Sequence, residues 1–179
     1  SGHIWAQGTK PGGFWVVANN EFGYTGGSNV AVDFRSSQTH AVIPVIRDNR
    51  FLGGGGHALR IVGDARVEGN RFSHYTRDSF GNAGATAGAI HARGGTIDAE
   101  RNFFHDVETS FDLEEGTFLN SLHNTIRGTR EGAIVLRGSG NGSPAAGAHL
   151  EATIIDDDVA FVKEQDGTEI TMSHSLTRM

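Results

Sequence analysis

Ala89-Ile90-His91-Ala92-Arg93 carries the pattern that decides the fold: a small residue, then large apolar residues alternating with polar ones. Five other segments repeat this pattern, and a weaker copy lies at residues 3–7. The first large apolar residues of the copies are Ile4, Val32, Leu59, Ile90, Phe111, Ile134 and Phe161, at steps of 28, 27, 31, 21, 23 and 27 residues. Repeats of this length with period-two alternation predict a β solenoid, in which each repeat adds a coil and packs its apolar face on its neighbours.

A second repeated landmark is an asparagine followed two residues later by phenylalanine or isoleucine. These asparagines are Asn20, Asn49, Asn70, Asn102 and Asn124, with degenerate copies near Thr153 and Ser175. Asparagine tolerates left-handed backbone, and its amide bonds to nearby backbone groups. The triplets therefore predict one corner reused in every coil, with asparagines stacked on each other and the apolar residues filling the core.

Between the repeats lie polar, glycine-rich stretches at residues 36–41, 73–87 and 138–148. Insertions in a solenoid are expelled from the stack, so these stretches predict protruding loops. Residues 53–56 and 156–158 are predicted to form turns. No segment of useful length has helical periodicity. The prediction is an all-β chain.

Composition narrows the possible partners. The uniform repeat over 179 residues predicts one domain spanning residues 1–179. A net charge of −6 and the absence of lysine or arginine runs argue against nucleic acid, and no apolar run reaches the length of a membrane span. Because the chain begins and ends inside the repeat, we expect end-to-end association or the remainder of a longer protein beside it.

The Val-x-x-Asn-x-Phe units, such as Val67-Glu68-Gly69-Asn70-Arg71-Phe72, resemble those of the right-handed parallel β-helix superfamily of pectate lyases, epimerases and phage tailspikes. The resemblance implies a right-handed parallel β-helix of about seven coils with a substrate groove on its main parallel sheet. It also implies an acidic polysaccharide partner and a location that is extracellular, periplasmic or at the cell surface. Neither the Asp-Pro-His signature of mannuronan epimerases nor the arginine and proline segment of pectate lyases is present, so no catalytic residue is carried over.

Polar residues between the core positions should stack into two columns on this sheet. The first column is Trp5, Asp33, Arg60, His91, Asp112, Val135 and Val162, and the second is Gln7, Arg35, Val62, Arg93, Glu114, Arg137 and Glu164. Eliminating a uronic acid needs a base and positive charge beside the sugar carboxylate. His91 is the candidate base, Asp112 its orienting partner, and Arg60 and Arg93 the candidate cations of the catalytic set. The candidate substrate-binding residues are Asp33, Arg35, Glu114, Arg137 and, as an aromatic of the 73–87 loop, Tyr75.

Several alternatives stay open on the sequence alone. The columns also fit a solvated ladder of ion pairs, and Asp112 and Glu114, about 6.5 to 7 Å apart along one strand, are compatible with glycoside hydrolysis. No metal ligand is assigned, although Ca²⁺ is a candidate cofactor at residues 156–158 or at Asp112, Glu114 and Glu115. The histidines His57, His74, His105 and His123 are placed at the surface or at corners.

The predicted function is binding of an acidic polysaccharide, with eliminative cleavage or epimerisation if the protein is an enzyme. The alternative is a noncatalytic structural or adhesive segment of a surface protein or tailspike.

Overall fold

The computed structural model describes residues 4–8, 15–23, 30–36, 43–77, 87–138, 144–156, 161–163 and 168–178. These residues form β-strands and connecting segments, without an α-helix, as predicted. The strands are β1 Ile4–Gly8, β2 Val16–Ala18, β3 Glu21–Phe22, β4 Val32–Ser36, β5 Val45–Arg47, β6 Arg50–Phe51, β7 His57–Val62, β8 Ala65–Glu68, β9 Arg71–Ser73, β10 Gly88–Arg93, β11 Gly95–Glu100, β12 Phe103–Leu113, β13 Thr117–Leu122, β14 Thr125–Leu136, β15 Gly147–Glu151, β16 Ile154–Asp156, β17 Phe161–Lys163, β18 Glu169–Ser173 and β19 Leu176–Arg178.

The strands form two parallel sheets. A twelve-stranded sheet follows the path β1-β4-β7-β10-β12-β14-β16-β19, with β3, β6, β9 and β17 attached to it, and a seven-stranded sheet has the order β18-β15-β13-β11-β8-β5-β2. The predicted register of the repeat is confirmed, because its first large apolar residues pair directly from each strand to the next. We call the strands carrying these residues, β1, β4, β7, β10, β17 and the C-terminal parts of β12 and β14, the main strands.

The predicted asparagine stack is present and buried over much of its length. The side-chain oxygens of Asn49, Asn70, Asn102 and Asn124 each accept hydrogen bonds from the backbone and the side-chain amide of the asparagine before them. The predicted left-handed backbone lies one residue earlier than expected. Positive φ angles occur at Asn19, Asp48, Gly69, Arg101, His123, Ala152 and His174. Each of these residues directly precedes a position of the asparagine stack or of its degenerate continuation at Thr153 and Ser175. The left-handed residue makes the corner, and the asparagine after it supplies the hydrogen bonds.

The apolar residues of the triplets fill the core as predicted. Phe22, Phe51, Phe72 and Phe104 stack with nearly parallel rings, at successive centroid distances of 4.7, 4.9 and 5.0 Å. Ile126 and Ile155 continue the column as fully buried residues. Side chains of both sheets, including Ile61 of β7 and Val67 of β8, belong to the same apolar cluster.

The short repeats differ from the long ones in how their strands connect. In β12, residues 103–105 pair with β9 and residues 111–113 pair with β10, so one continuous strand serves both the corner and the main strand. β14 does the same, and the pair contains one irregularity between Val107 and Thr109. With no insertion between corner and main strand, the chain crosses directly, which accounts for the steps of 21 and 23 residues.

Three local predictions can be compared with the structure in part. Residues 53–56 connect two strands, with bends at residues 55 and 56; they are buried, and Gly54 forms a parallel bridge with Tyr75. Ser73 ends β9 and is buried, so the predicted protruding loop does not begin there; residues 78–86 lie outside the described part. Asp156 ends β16, whereas the other two residues of the predicted turn at 156–158 are outside the described ranges.

Candidate functional site on the main strands

The main strands bring the predicted first column together. Trp5 pairs with Asp33, Asp33 with Arg60, Arg60 with His91, and His91 with Asp112. Val135 follows Asp112 in the register but is buried, so it does not present a surface. The side chains of Trp5, Gln7, Val162 and Glu164 fall outside the described part of the chain.

His57, His91 and Asp112, which we call the histidine–aspartate cluster, come together from β7, β10 and β12; His57 and Asp112 are buried, and His91 is half-buried. The three side chains are 6%, 19% and 3% exposed, respectively. His91 Nδ1 is 3.4 Å from Asp112 Oδ2, and His57 Nε2 is 3.7 Å from the same oxygen. The two rings lie side by side with centroids 4.9 Å apart. Two imidazoles therefore approach one oxygen of a single carboxylate.

The cluster is bounded by one cation and one further carboxylate. Arg137 Nε donates to Asp112 Oδ1 at 2.5 Å, so the guanidinium binds the oxygen that the histidines do not approach. On the other side, Glu114 Oε1 lies 3.3 Å from His91 Nε2. Both nitrogens of His91 thus face carboxylates.

Burial and neighbouring polar groups both shift the pKa values of His57 and Asp112. Burial is the largest influence on His57 and lowers the pKa of its ring below the ordinary value, although Asp112 opposes the shift. Burial would raise the pKa of Asp112, but His57, His91 and Arg137 outweigh it and hold that pKa far below the ordinary value. Near neutral pH, therefore, His57 is neutral and Asp112 is ionised.

His57 Nε2 is a buried polar atom without a hydrogen-bond partner among the described residues. The 3.7 Å to Asp112 Oδ2 exceeds hydrogen-bond distance. A buried polar nitrogen left without a partner costs about 1–3 kcal/mol, so its presence in a native fold needs an explanation.

The remaining predicted cations on this face are paired with carboxylates. Arg60 and Arg35 approach Asp33 Oδ2 at 3.4 and 3.2 Å. Arg93 approaches Glu114 at 3.6 Å and Glu115 at 2.7 Å. Arg60 and Arg93 nevertheless keep 36% and 57% of their side-chain surface exposed, so both still face solvent.

Two predictions about this face are wrong or unsupported by the geometry. Tyr75 is fully buried, so its ring cannot stack on a sugar at the surface. Asp112, Glu114 and Glu115 do not fit Ca²⁺, because each carboxylate already faces histidine or arginine. Calcium prefers six to eight oxygens that are free to turn toward it.

His57 is the site residue that sequence reasoning missed. It lies outside the two columns, at the start of β7, where the sequence offered no alternation to place it. Its register partner is Gly88 of β10, and a Cβ at Gly88 would lie 3.4 Å from His57 Cδ2. A glycine opposite a histidine indicates space for the histidine ring, but the sequence shows this pairing only once the strand register is known.

Other polar features lie apart from the cluster. The backbone N–H of Arg77 donates to Glu108, which is buried, and the Arg77 side chain pairs with Glu131. A recess of about 340 Å³ lies beside Phe118, Ala146 and Glu169, and none of the predicted site residues lines it. No helix of the described residues has the length and apolar character needed to cross a membrane.

The chain matches no protein-family model, no curated protein and no solved structure. The case for function therefore rests on the residues of the main strands.

Proposed function

We propose that the two parallel sheets are faces of a right-handed parallel β-helix that binds an acidic polysaccharide along its main strands. The parallel pairing of every successive repeat and the shared core of the two sheets support this architecture. A polymer of charged sugars suits a face on which exposed arginines recur at strand spacing. Such polymers lie outside the cytoplasm, so a secreted or surface location is part of the proposal.

The chemistry proposed for this face is removal of the C5 proton of a uronic acid. The observation that carries it is the contact between His91 Nδ1 and Asp112 Oδ2, at 3.4 Å. If Nδ1–H donates to Asp112, the lone pair of the neutral ring is on Nε2, where it can accept a proton. Asp112 then holds the tautomer and stabilises the imidazolium, and Arg137 fixes Asp112 from the other side.

In elimination, His91 Nε2 takes the C5 proton, the C5–H electrons form a C4=C5 double bond, and the C4–O bond breaks. The departing oxygen takes its proton from water. Negative charge grows on the sugar carboxylate during proton removal, and in this proposal Arg60 and Arg93 are the cations that stabilise it. Glu114, at 3.3 Å from Nε2, must turn aside to admit the sugar. Epimerisation begins with the same proton removal and ends with reprotonation from the opposite face.

The test is incubation with pectate, alginate and glycosaminoglycans in D₂O, followed by ultraviolet absorbance and by NMR of the polymer. The unsaturated product of elimination absorbs ultraviolet light. Epimerisation creates no chromophore, but reprotonation in D₂O places deuterium at C5. We expect one polymer to show either signal and His91→Ala to lower its rate about 100-fold or more. His149→Ala, on β15 of the seven-stranded sheet, is the matched control. Neither signal with any polymer, or an unchanged rate in His91→Ala, contradicts the assignment.

The second candidate is a noncatalytic structural or adhesive segment of a surface protein or tailspike. One observation favours it: Arg35, Arg60, Arg93 and Arg137 all contact carboxylates of the same face, as expected of a cross-strand charge ladder. Absence of both turnover and binding with every polymer would support this candidate instead.

A further inference from the structure

We propose that the histidine–aspartate cluster is a binding site for a divalent transition metal, with zinc as the best match. His57 Nε2, His91 Nδ1 and Asp112 Oδ2 all lie within 4.8 Å of one another. Two imidazole nitrogens and one carboxylate oxygen are a common protein ligand set for zinc, and three protein ligands leave a fourth position open. The zinc site is inferred from these side chains alone and does not rest on the proposed function.

The spacing of the three atoms is close to what the metal requires. Bond lengths of about 2.0–2.1 Å in a tetrahedron place neighbouring ligand atoms about 3.3 Å apart. The two distances to Asp112 Oδ2, 3.4 and 3.7 Å, come within a few tenths of an ångström of that value. The third distance, between the two imidazole nitrogens, is at most 4.8 Å. Rotations of the side chains would bring the three atoms to the spacing that zinc requires.

The unpartnered nitrogen of His57 is the observation that singles out a metal. His57 is nine-tenths buried, and its Nε2 approaches the carboxylate without a hydrogen bond to any described group. An ion equidistant from the three atoms gives this nitrogen the partner that it lacks and accepts the lone pair of a neutral ring.

The surroundings also suit a metal. His91 would bind through Nδ1 and donate its Nε2–H to Glu114 Oε1, 3.3 Å away, which is the carboxylate–histidine–metal arrangement that orients such ligands. Arg137 holds Asp112 Oδ1 and leaves Oδ2 for the metal.

The metal and the base use opposite tautomers of His91. With a metal on Nδ1, Nε2 keeps its proton and cannot remove one from a sugar. Saturating Zn²⁺ is therefore expected to abolish any elimination by His91, and chelation should restore it. Failure of one proposal can thus be told from failure of the other, because zinc binding is measured with no polymer present.

The experiment is titration of the chelator-treated protein with Zn²⁺ by calorimetry and with Co²⁺ by visible absorption. We expect one zinc ion per chain and the intense bands of a tetrahedral cobalt site. Glu114→Ala, which removes the acceptor of the His91 N–H, should weaken binding about 10–100-fold. His57→Gln and His91→Gln remove ligands and should weaken it further, whereas the control His149→Gln should bind as the wild type does.

Wild-type protein that binds no zinc would overturn the proposal, as would His57→Gln binding zinc with unchanged affinity. If a ligand variant fails to fold, as judged by circular dichroism, X-ray absorption of the zinc-loaded wild type replaces it. That spectrum must show two imidazole ligands, and a spectrum with fewer contradicts the site.

Discussion

At the scale of single residues, the asparagine stack supplies hydrogen bonds to the buried corner of successive repeats. A buried turn leaves backbone groups without partners, and each of them costs free energy unless a side chain supplies a hydrogen bond. Asn70 donates to the carbonyls of Ile46 and Glu68 and to Asn102, and its oxygen accepts two bonds from Asn49. One side chain therefore connects three successive repeats.

Replacing Asn70 by alanine should destabilise the protein by about 2–4 kcal/mol, because several buried partners lose their hydrogen bonds at once. The measurement is urea denaturation followed by circular dichroism. Asn20→Ala is the matched control: Asn20 is exposed, and its side-chain oxygen accepts no hydrogen bond within the described residues. We expect a loss below about 1 kcal/mol for this control. A loss below about 1 kcal/mol in Asn70→Ala as well would show that the hydrogen bonds of the asparagine stack contribute little.

The sequence predicted residue positions well where the two-residue period held and poorly elsewhere. The columns from Asp33 to Asp112 follow from alternation alone, because side chains of parallel strands in register must stack. His57 and Tyr75 lie beyond this regular pattern, at a strand start and in an isolated bridge. Their burial depends on how neighbouring repeats pack over them, which no local period encodes.

At the scale of strands, the approach of β10 to β12 depends on a residue without a side chain. A Cβ at Gly88 would lie 2.7 Å from the carbonyl oxygen of Thr109, which is backbone and cannot rotate away. Thr109 directly follows the irregularity in the pairing of β12 with β14. The irregular strand therefore approaches β10 closely at a position where β10 carries no side chain.

Gly88→Ala should destabilise the protein by about 1–3 kcal/mol, because the main strands must separate to admit the methyl group. It should also weaken zinc binding, since His57 pairs with Gly88 in the register. Thermal unfolding and zinc titration of the same variant measure both effects. Gly23→Ala is the control, because a Cβ there meets nothing within 4 Å. A Gly88→Ala protein as stable as Gly23→Ala would contradict the close approach.

Strand existence was more predictable than strand length. The repeat gave each main strand its centre, but the fusion of corner and main strand in β12 and β14 was not foreseen. The fused segments, such as Val107-Glu108-Thr109, show no regular alternation, and Glu108 is buried by its contact with Arg77. The guanidinium of Arg77, 3.8 Å from Glu108 Oε1, and the backbone N–H of Arg77 offset the burial of a charge that local patterning places at the surface.

At the scale of the whole molecule, each strand of the described ranges pairs with strands of neighbouring repeats. Stability in such an arrangement is close to a sum of terms for each repeat and each contact between neighbours. This arrangement helps to hold the histidine–aspartate cluster in position, because its three residues lie on three successive main strands in the interior of the stack. β7, β10 and β12 each pair with another strand on both sides.

Protection from hydrogen exchange should therefore vary along the stack. β13 pairs with β11 and β15, and its alternate side chains are buried. β18 pairs with β15 alone among the described strands, and its residues are exposed or half-buried. We expect the amides of β18 to exchange at least about tenfold faster than those of β13, through openings that leave the centre of the stack folded. Mass spectrometry of peptides sampled at several exchange times measures the difference. Peptides that contain Phe72, in the phenylalanine stack, represent the centre of the stack in this comparison. Equal exchange in β13 and β18 would mean that the chain opens only as one unit, contrary to a stability summed over neighbouring repeats.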